Sequence, residues 1–238
     1  MNIVITGASR GLGKAMAEKF AANGYNLYLT SLNEMLLYKT VEEFVTKFPG
    51  IIIKAKAFDL SNKEQAIAFA NWILHFEISI DILINNAGTF LPGSVFNEED
   101  GVLEKMIETN LYSAYHVTRI LLGKMMKKNL SSGSRGHIFN ICSIASLQAY
   151  ANGGSYSISK FALAGFSKNL REEMKTYGIK VTAVYPGAAF TDSWAESGMD
   201  AKRFMEANDI ADMVFASSQL SPQACVEDII LRPQLGDI

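Results

Sequence analysis

The sequence predicts an α/β fold: a doubly wound sheet of seven parallel strands with helices on both faces. Two observations carry this expectation. Seven short apolar or β-branched runs alternate with long amphipathic stretches from one end of the chain to the other. Runs of this length between helical segments are strands buried on both faces. A glycine-rich turn also follows the first run, at the strand edge where open α/β folds collect ligands.

The elements follow in order. The first run, Asn2 to Thr6, stops at the glycine turn, and a helical pattern occupies Gly11 to Ala22. Asn26 to Thr30 (NLYLT) is the second strand, followed by a helix over Glu34 to Lys47. Ile51 to Phe58 is the third, ending in AFDLS, with a helix over Lys63 to Phe76. Ile80 to Asn85 is the fourth, followed by a long helical pattern from Glu98 to Lys128. His137 to Cys142 leads to a helix over Ser155 to Tyr177, and Lys180 to Tyr185 leads to a last helix near Ala207 to Ser217. Val226 to Leu231 closes the sheet. Internal repeats are absent, and the patch SSGSRG (Ser131 to Gly136) is too short to divide domains, so residues 1–238 are expected to form a single domain.

A chain of 238 residues with 49% hydrophobic and 19% charged residues is long enough and apolar enough for one well-buried domain. Its formal charge of −2, without any block of Lys and Arg, argues against nucleic-acid or anionic-membrane partners. No apolar run reaches the ~18 residues of a membrane span, and a strand beginning at Asn2 leaves no room for a signal core. A cytoplasmic location is expected. Cys142 and Cys225 lie in strand-like segments and read as reduced core residues. His75, His116 and His137 lack ligand spacing, so no metal site is indicated.

The turn TGASRGLGK, Thr6 to Lys14, has the character of a phosphate loop. It is not a Walker A loop: Ala8 stands where the first glycine belongs, and Ala15 replaces the magnesium-binding hydroxyl after Lys14. It also departs from G-x-G-x-x-G, because its glycines fall at Gly7, Gly11 and Gly13. The wider first gap describes a longer turn whose N–H groups point at a pyrophosphate at the helix N-terminus.

Further motifs narrow the choice. NNAG (Asn85 to Gly88) follows the fourth strand, Ser143 follows the fifth, YSISK (Tyr156 to Lys160) starts a helix, and PGAAFT (Pro186 to Thr191) follows the sixth strand. In this order the set resembles the short-chain dehydrogenase/reductase family in its compact, single-domain form, over essentially the whole chain. The resemblance implies a Rossmann fold that binds NAD or NADP and an oxidoreductase acting on a small-molecule carbonyl or alcohol. It implies a catalytic tetrad of Asn110, Ser143, Tyr156 and Lys160. It further implies cofactor contacts from Gly7, Ser9, Arg10, Gly11, Leu12 and Gly13 in the loop, and from Ser31 after the second strand. Asp59 and Leu60 after the third strand, Asn85, Gly88, Tyr156, Lys160, Pro186, Gly187 and Thr191 complete that set.

The chemistry suits these residues. Hydride addition to a carbonyl leaves an alkoxide that needs a proton and a hydrogen-bond donor. Tyr156 is the candidate acid, and Lys160, one turn on, is expected to favour its phenolate. The resemblance adds that Lys160 binds the nicotinamide ribose and that Asn110 holds a water linking Lys160 to solvent. Ser143 would hydrogen-bond the substrate carbonyl. For Asp59, an adenine contact and an N-cap of the next helix compete.

The second strand ends Thr30-Ser31-Leu32-Asn33 without an acidic residue for a ribose 2′-OH, and Arg10 supplies a cation. NADP is therefore preferred over NAD, with Glu34 as a nearby rival charge. The segment of about 186–208 is expected to carry substrate selectivity, with Phe190, Trp194, Met199, Phe204 and Met205 serving either as substrate contacts or as lid packing. The family's usual assembly implies a homodimer or homotetramer through the helices after Asn110 and Tyr156, which carry Leu111, Tyr115, Phe161 and Phe166. A catalytically silent dinucleotide-binding regulator is the alternative, and it predicts a damaged tetrad. An epimerase or dehydratase of the longer related group is disfavoured by the short segment after the sixth strand.

Overall fold

A computed structural model describes residues 1–129, 133–191 and 198–237. Its centre is a seven-stranded sheet of β3-β2-β1-β4-β5-β6-β9, parallel throughout. The strands are β1 (Asn2–Thr6), β2 (Asn26–Thr30), β3 (Ile53–Ala55), β4 (Ile82–Asn85), β5 (Gly136–Ile141), β6 (Ile179–Pro186) and β9 (Asp228–Leu231). The helices are α1 (Gly11–Ala22), α2 (Glu34–Lys47), α3 (Lys63–His75), α4 (Val102–Ile107), α5 (Ser113–Met126), α6 (Gly154–Met174) and α7 (Ala207–Ser218).

Alternation along β1 shows how the layers form. Ile3 and Ile5 face a core with Met16 and Phe20 of α1, Leu37 and Phe44 of α2, and Ile210 and Val214 of α7. Val4 faces the opposite core, where Phe69 and Ile73 of α3, Val117 and Leu121 of α5 and Leu170 of α6 pack. Both faces are covered, so β4, β5 and β6 are buried at every position and not at alternate ones. The strand order reverses between β1 and β4, and this opens a crevice at their carboxyl ends.

Several expected boundaries shift for physical reasons. Only Ile53–Ala55 of the third run forms strand. It is the sheet edge, with Ile52 and Lys54 exposed, although the N–H groups of Lys56 and Phe58 still reach the carbonyls of Leu29 and Ser31. The helix expected from Glu98 starts at Val102, after Gly101 at φ 89°, and a π-helical turn at Glu108–Tyr112 divides it. Cys142 is buried just beyond β5, whereas Cys225 precedes β9 and is only half-buried, so it is not the core strand residue expected. A parallel pair that the sequence did not suggest, β7 (Ala189–Phe190) with β8 (Met205–Glu206), brackets the segment after β6. Trp194 lies outside the described residues.

Candidate active site

At the crevice, β1 ends at Thr6 and α1 begins at Gly11. Gly7 and Gly11 have φ of +66° and +53°, a conformation that side chains disfavour. A Cβ on Gly13 would lie 2.2 Å from the Gly7 carbonyl oxygen, so the helix can start this close beneath the turn only with glycine there. The neighbouring strand braces the loop. Thr6 Oγ1 accepts the N–H groups of Asn86 and Ala87 at 2.9 Å each, and Asn86 Nδ2 donates to the carbonyls of Thr6 and Gly7 at 3.1 and 3.0 Å. The hydroxyls of Ser9 and Ser31 bond each other at 2.7 Å, and Thr40 donates to the Ser9 carbonyl at 2.9 Å.

The start of α1 is unlike those of its neighbours. Asn33 and Asn62 cap α2 and α3 with their side chains. Arg10, at the N-cap of α1, makes no such bond, and the first turn carries no acidic residue. Its N–H groups are thus left for an external anion, with the exposed Arg10 beside them. Thr191, after β7, reaches over this start: its Cγ2 would lie 3.3 Å from a Cβ on Gly11. These residues fit a dinucleotide pyrophosphate.

The candidate catalytic cluster lies across the ends of β4 and β5. Lys160 is buried; its Nζ donates to the Ile141 carbonyl at 2.9 Å and stands 5.8 Å from the Tyr156 ring centroid. Burial pulls its pKa down from 10.5 to about 8. Burial pushes the Tyr156 phenol up, while a hydrogen bond with Ser143 partly offsets this and the Cys142 thiol adds to it. Burial, and not Lys160, sets the direction of this shift. Phe90 packs edge-on against Tyr156, with centroids 4.8 Å apart. Ser143 caps the short 3-10 helix Ile144–Ser146, accepting the Ala145 N–H at 3.1 Å, so it combines a turn role with contact to Tyr156.

Asn110 is fully buried in the π-helical turn. Its Oδ1 accepts the Thr89 N–H at 2.7 Å, and its Nδ2 donates to the Thr89 carbonyl and to Ser159 Oγ at 3.0 and 2.9 Å. The side chain clamps the end of the β4 turn through both ends of its amide. A Cβ on Gly88 would lie 3.1 Å from Asn110 Oδ1 and 3.5 Å from Lys160 Nζ, which places Gly88 where those two residues converge.

Other expected contacts are placed differently. Asn85 Nδ2 donates to Thr118 Oγ1 and Asn140 Oδ1 at 2.8 Å each, and Asn140 donates onward to Ser167 on α6. Its side chain therefore points into the helix layer and not toward a ribose; Asn86 is the asparagine that meets the loop. Asp59 is not the N-cap of α3. It holds the N–H and hydroxyl of Ser61 at 3.0 and 2.6 Å, and Asn62 caps the helix. Leu60 is buried in the core and Leu12 packs against the core, leaving only their backbones for a ligand. Pro186 ends β6, and the Gly187 N–H donates to the Leu231 carbonyl at 2.8 Å. Thr89 and Asn86 were missed as site residues. Their signal was topological: β4 neighbours β1, so the turn after it must abut the glycine loop.

The sequence profile of the short chain dehydrogenase family matches residues 1–202. The chain belongs to that family. A diacetyl reductase [(S)-acetoin forming] of Staphylococcus epidermidis is 30% identical to this short chain dehydrogenase over 216 residues, covering 90% of this chain and 81% of the relative. A sepiapterin reductase of Chlorobaculum tepidum is 30% identical over 245 residues, covering 99% and 97%. Among solved structures, a metagenomic short-chain oxidoreductase in complex with NADP matches with a TM-score of 0.82 at 29% identity, covering 98% and 97%. L-sorbose reductase from Gluconobacter frateurii, complexed with NADPH and L-sorbose, matches with a TM-score of 0.86 at 26% identity, covering 97% and 94%. Among the described residues of this dehydrogenase, no helix is long and apolar enough to cross a membrane, and no group of three or more His, Cys, Asp or Glu could hold a metal.

Burying Lys160 has a measurable consequence. Its displacement from 10.5 to about 8 corresponds to roughly 3 kcal/mol of destabilisation. The cost is complete below the folded value of about 8 and fades as pH rises toward 10.5, because the unfolded chain binds the extra proton in that window. Lys160→Met is expected to stabilise the ligand-free dehydrogenase at pH 7, with the gain shrinking between pH 8 and 10.5 in denaturant unfolding. A gain that grows across that window would contradict the assignment.

Proposed function

We propose that this protein is an NADP(H)-dependent oxidoreductase that transfers a hydride between nicotinamide and a carbonyl or secondary-alcohol substrate, with Tyr156 as general acid and base. The observation that carries the reading is the buried Lys160 one turn along α6 from Tyr156, its Nζ 5.8 Å from the Tyr156 ring centroid and held at the end of β5, at the crevice where α1 starts uncapped. A bound nicotinamide dinucleotide supplies the hydride. Tyr156 gives its proton to the carbonyl oxygen in reduction, and the Ser143 hydroxyl donates a hydrogen bond to that oxygen. Burial keeps the phenol protonated at neutral pH, which suits the acid role in reduction; alcohol oxidation needs the phenolate and gains with rising pH. With the dinucleotide bound, Lys160 would hold its ribose and favour that phenolate, while Asn110 holds the turn at Thr89.

Arg10 supports the choice of NADP, as do the solved relatives bound to NADP and NADPH. Lys14 is paired with Glu43 at 2.6 Å, whereas the exposed Arg10 makes no ion pair among the described residues, so Arg10 is the loop cation left for a 2′-phosphate. The segment 186–208 is the substrate cover: Phe190 and Met199 are exposed along it, whereas Phe204 and Met205 are buried packing. A second copy of the chain fits the outer face of α5 and α6, where Tyr115 and Phe161 are exposed; Leu111 and Phe166 pack inward against the core instead. No observation favours a silent regulator.

Three outcomes test these statements. Tyr156→Phe keeps the ring and removes the proton, so turnover against ketones, including diacetyl, L-sorbose and sepiapterin, is expected to fall by at least ~10²-fold with cofactor affinity little changed. Near-normal turnover would remove Tyr156 from the mechanism, and wild-type protein inert toward the whole panel would favour the regulator. Arg10→Glu is expected to weaken NADPH binding far more than NADH binding in a fluorescence titration; equal losses would sink the NADP preference. Light scattering at micromolar concentration is expected to give a dimer or tetramer, and a monomer would overturn the interface.

A further inference from the structure

Helix α6 delivers Tyr156 and Lys160 to the site, yet what holds its first turn lies on another element. Gly153 at its N-cap has no side chain to offer. Glu98, between β4 and α4, supplies the missing acceptor. Its Oε1 and Oε2 accept the Ser155 N–H at 2.9 and 3.2 Å, and Oε2 also accepts the Ser155 hydroxyl. Two glycines leave room for this carboxylate. A Cβ on Gly93 would lie 2.6 Å from Glu98 Cγ, and a Cβ on Gly154, at φ +31°, would lie 2.0 Å from Glu98 Oε1. The same two segments are joined again where the Gly93 N–H meets the Asn152 carbonyl at 3.1 Å and the Ser94 hydroxyl meets Asn152 Oδ1 at 2.9 Å.

We infer that Glu98 is a positioning residue: by gripping Ser155 it fixes the first turn of α6 and hence where the adjoining Tyr156 phenol sits. This inference rests on the reading of Tyr156 as the general acid. An ordinary surface acid would not require glycine at two places around it. The carboxylate also answers the positive end of the helix dipole, which would otherwise favour an anion in the first turn. Its charge therefore opposes a Tyr156 phenolate. The other titratable groups near that phenol are Lys160 on the same helix, Cys142 beyond β5 and Tyr150 in the turn before α6. Removing charge and bonds together frees the turn, whereas removing the charge alone keeps the turn and eases ionisation.

The test compares the full chain with Glu98→Ala and Glu98→Gln, each also made in a Tyr156→Phe background. Amide hydrogen exchange of residues 154–160 reports the turn without any turnover. The ultraviolet pH difference between each protein and its Tyr156→Phe counterpart reports the phenol. Reduction kinetics at saturating NADPH report its placement. Glu98→Ala is expected to exchange about tenfold faster in this turn and to lose about tenfold in kcat, with KM for the carbonyl within about twofold. Glu98→Gln, which can still accept the Ser155 N–H, is expected to restore exchange and kcat while moving the phenol midpoint to lower pH. Wild-type exchange in Glu98→Ala, or an unmoved midpoint in Glu98→Gln, would overturn the inference. Wild-type protein inert toward every carbonyl would refute the oxidoreductase reading alone, because exchange and phenol titration still decide the role of Glu98.

Discussion

One buried charge organises the site. An ammonium withdrawn from water must find acceptors, and Lys160 finds one in the Ile141 carbonyl at the end of β5. That bond ties α6 to the sheet at the level where β5 gives way to Cys142 and Ser143. It also dictates the neighbours: Gly88 leaves space beside the ammonium, and the Cys142 thiol is pushed up to about 11 by its own burial and stays neutral. Asn140, bonded to both Asn85 and Ser167, joins β4, β5 and α6 one layer below. Helix α6 is thus held along its length by neutral side chains and near its start by a cation.

The helix starts divide the labour between stability and binding. At α2 and α3 an asparagine closes the first turn, and at α6 a distant carboxylate does so. Only α1, of these four, presents its first turn to the crevice with no side-chain cap. Capping contributes about 1 kcal/mol to a helix, so an uncapped start gives up stability that a bound anion restores. Ser9, Ser31 and Thr40 hold the loop in shape without occupying its N–H groups. A rigid turn with open donors binds phosphate without first rearranging.

The sheet was legible because its strands are buried on both faces and bounded by glycine, asparagine and serine; the core faces follow from simple alternation. The candidate site residues were legible as motifs, and Asn110 and Lys160 meet at Gly88 while Lys160 lies over Tyr156. What the sequence could not reveal was how each side chain is spent. Asn85 and Asn86 are adjacent and identical, yet the pleat sends one into the helix layer and the other onto the loop. The i, i+4 spacing of Tyr156 and Lys160 placed them on one helix face but could not show that the ammonium would be claimed by a carbonyl of another strand. Glu98 looked like the start of a helix because Gly101, which delays it, is a single residue within a long apolar period. Long-range partners of this kind are set by tertiary packing, to which local patterns are blind.

The short β7–β8 pair carries an implication for diversification. Because Ala189 is bonded in register with Met205 and Phe190 with Glu206, the stretch between them leaves and re-enters the framework at two fastened points. Lengthening such a stretch costs only about 0.6 kcal/mol for each doubling of its length. The same framework can therefore accept stretches of different length and composition between these two points. Insertions and deletions there leave the sheet, the glycine loop and α6 untouched.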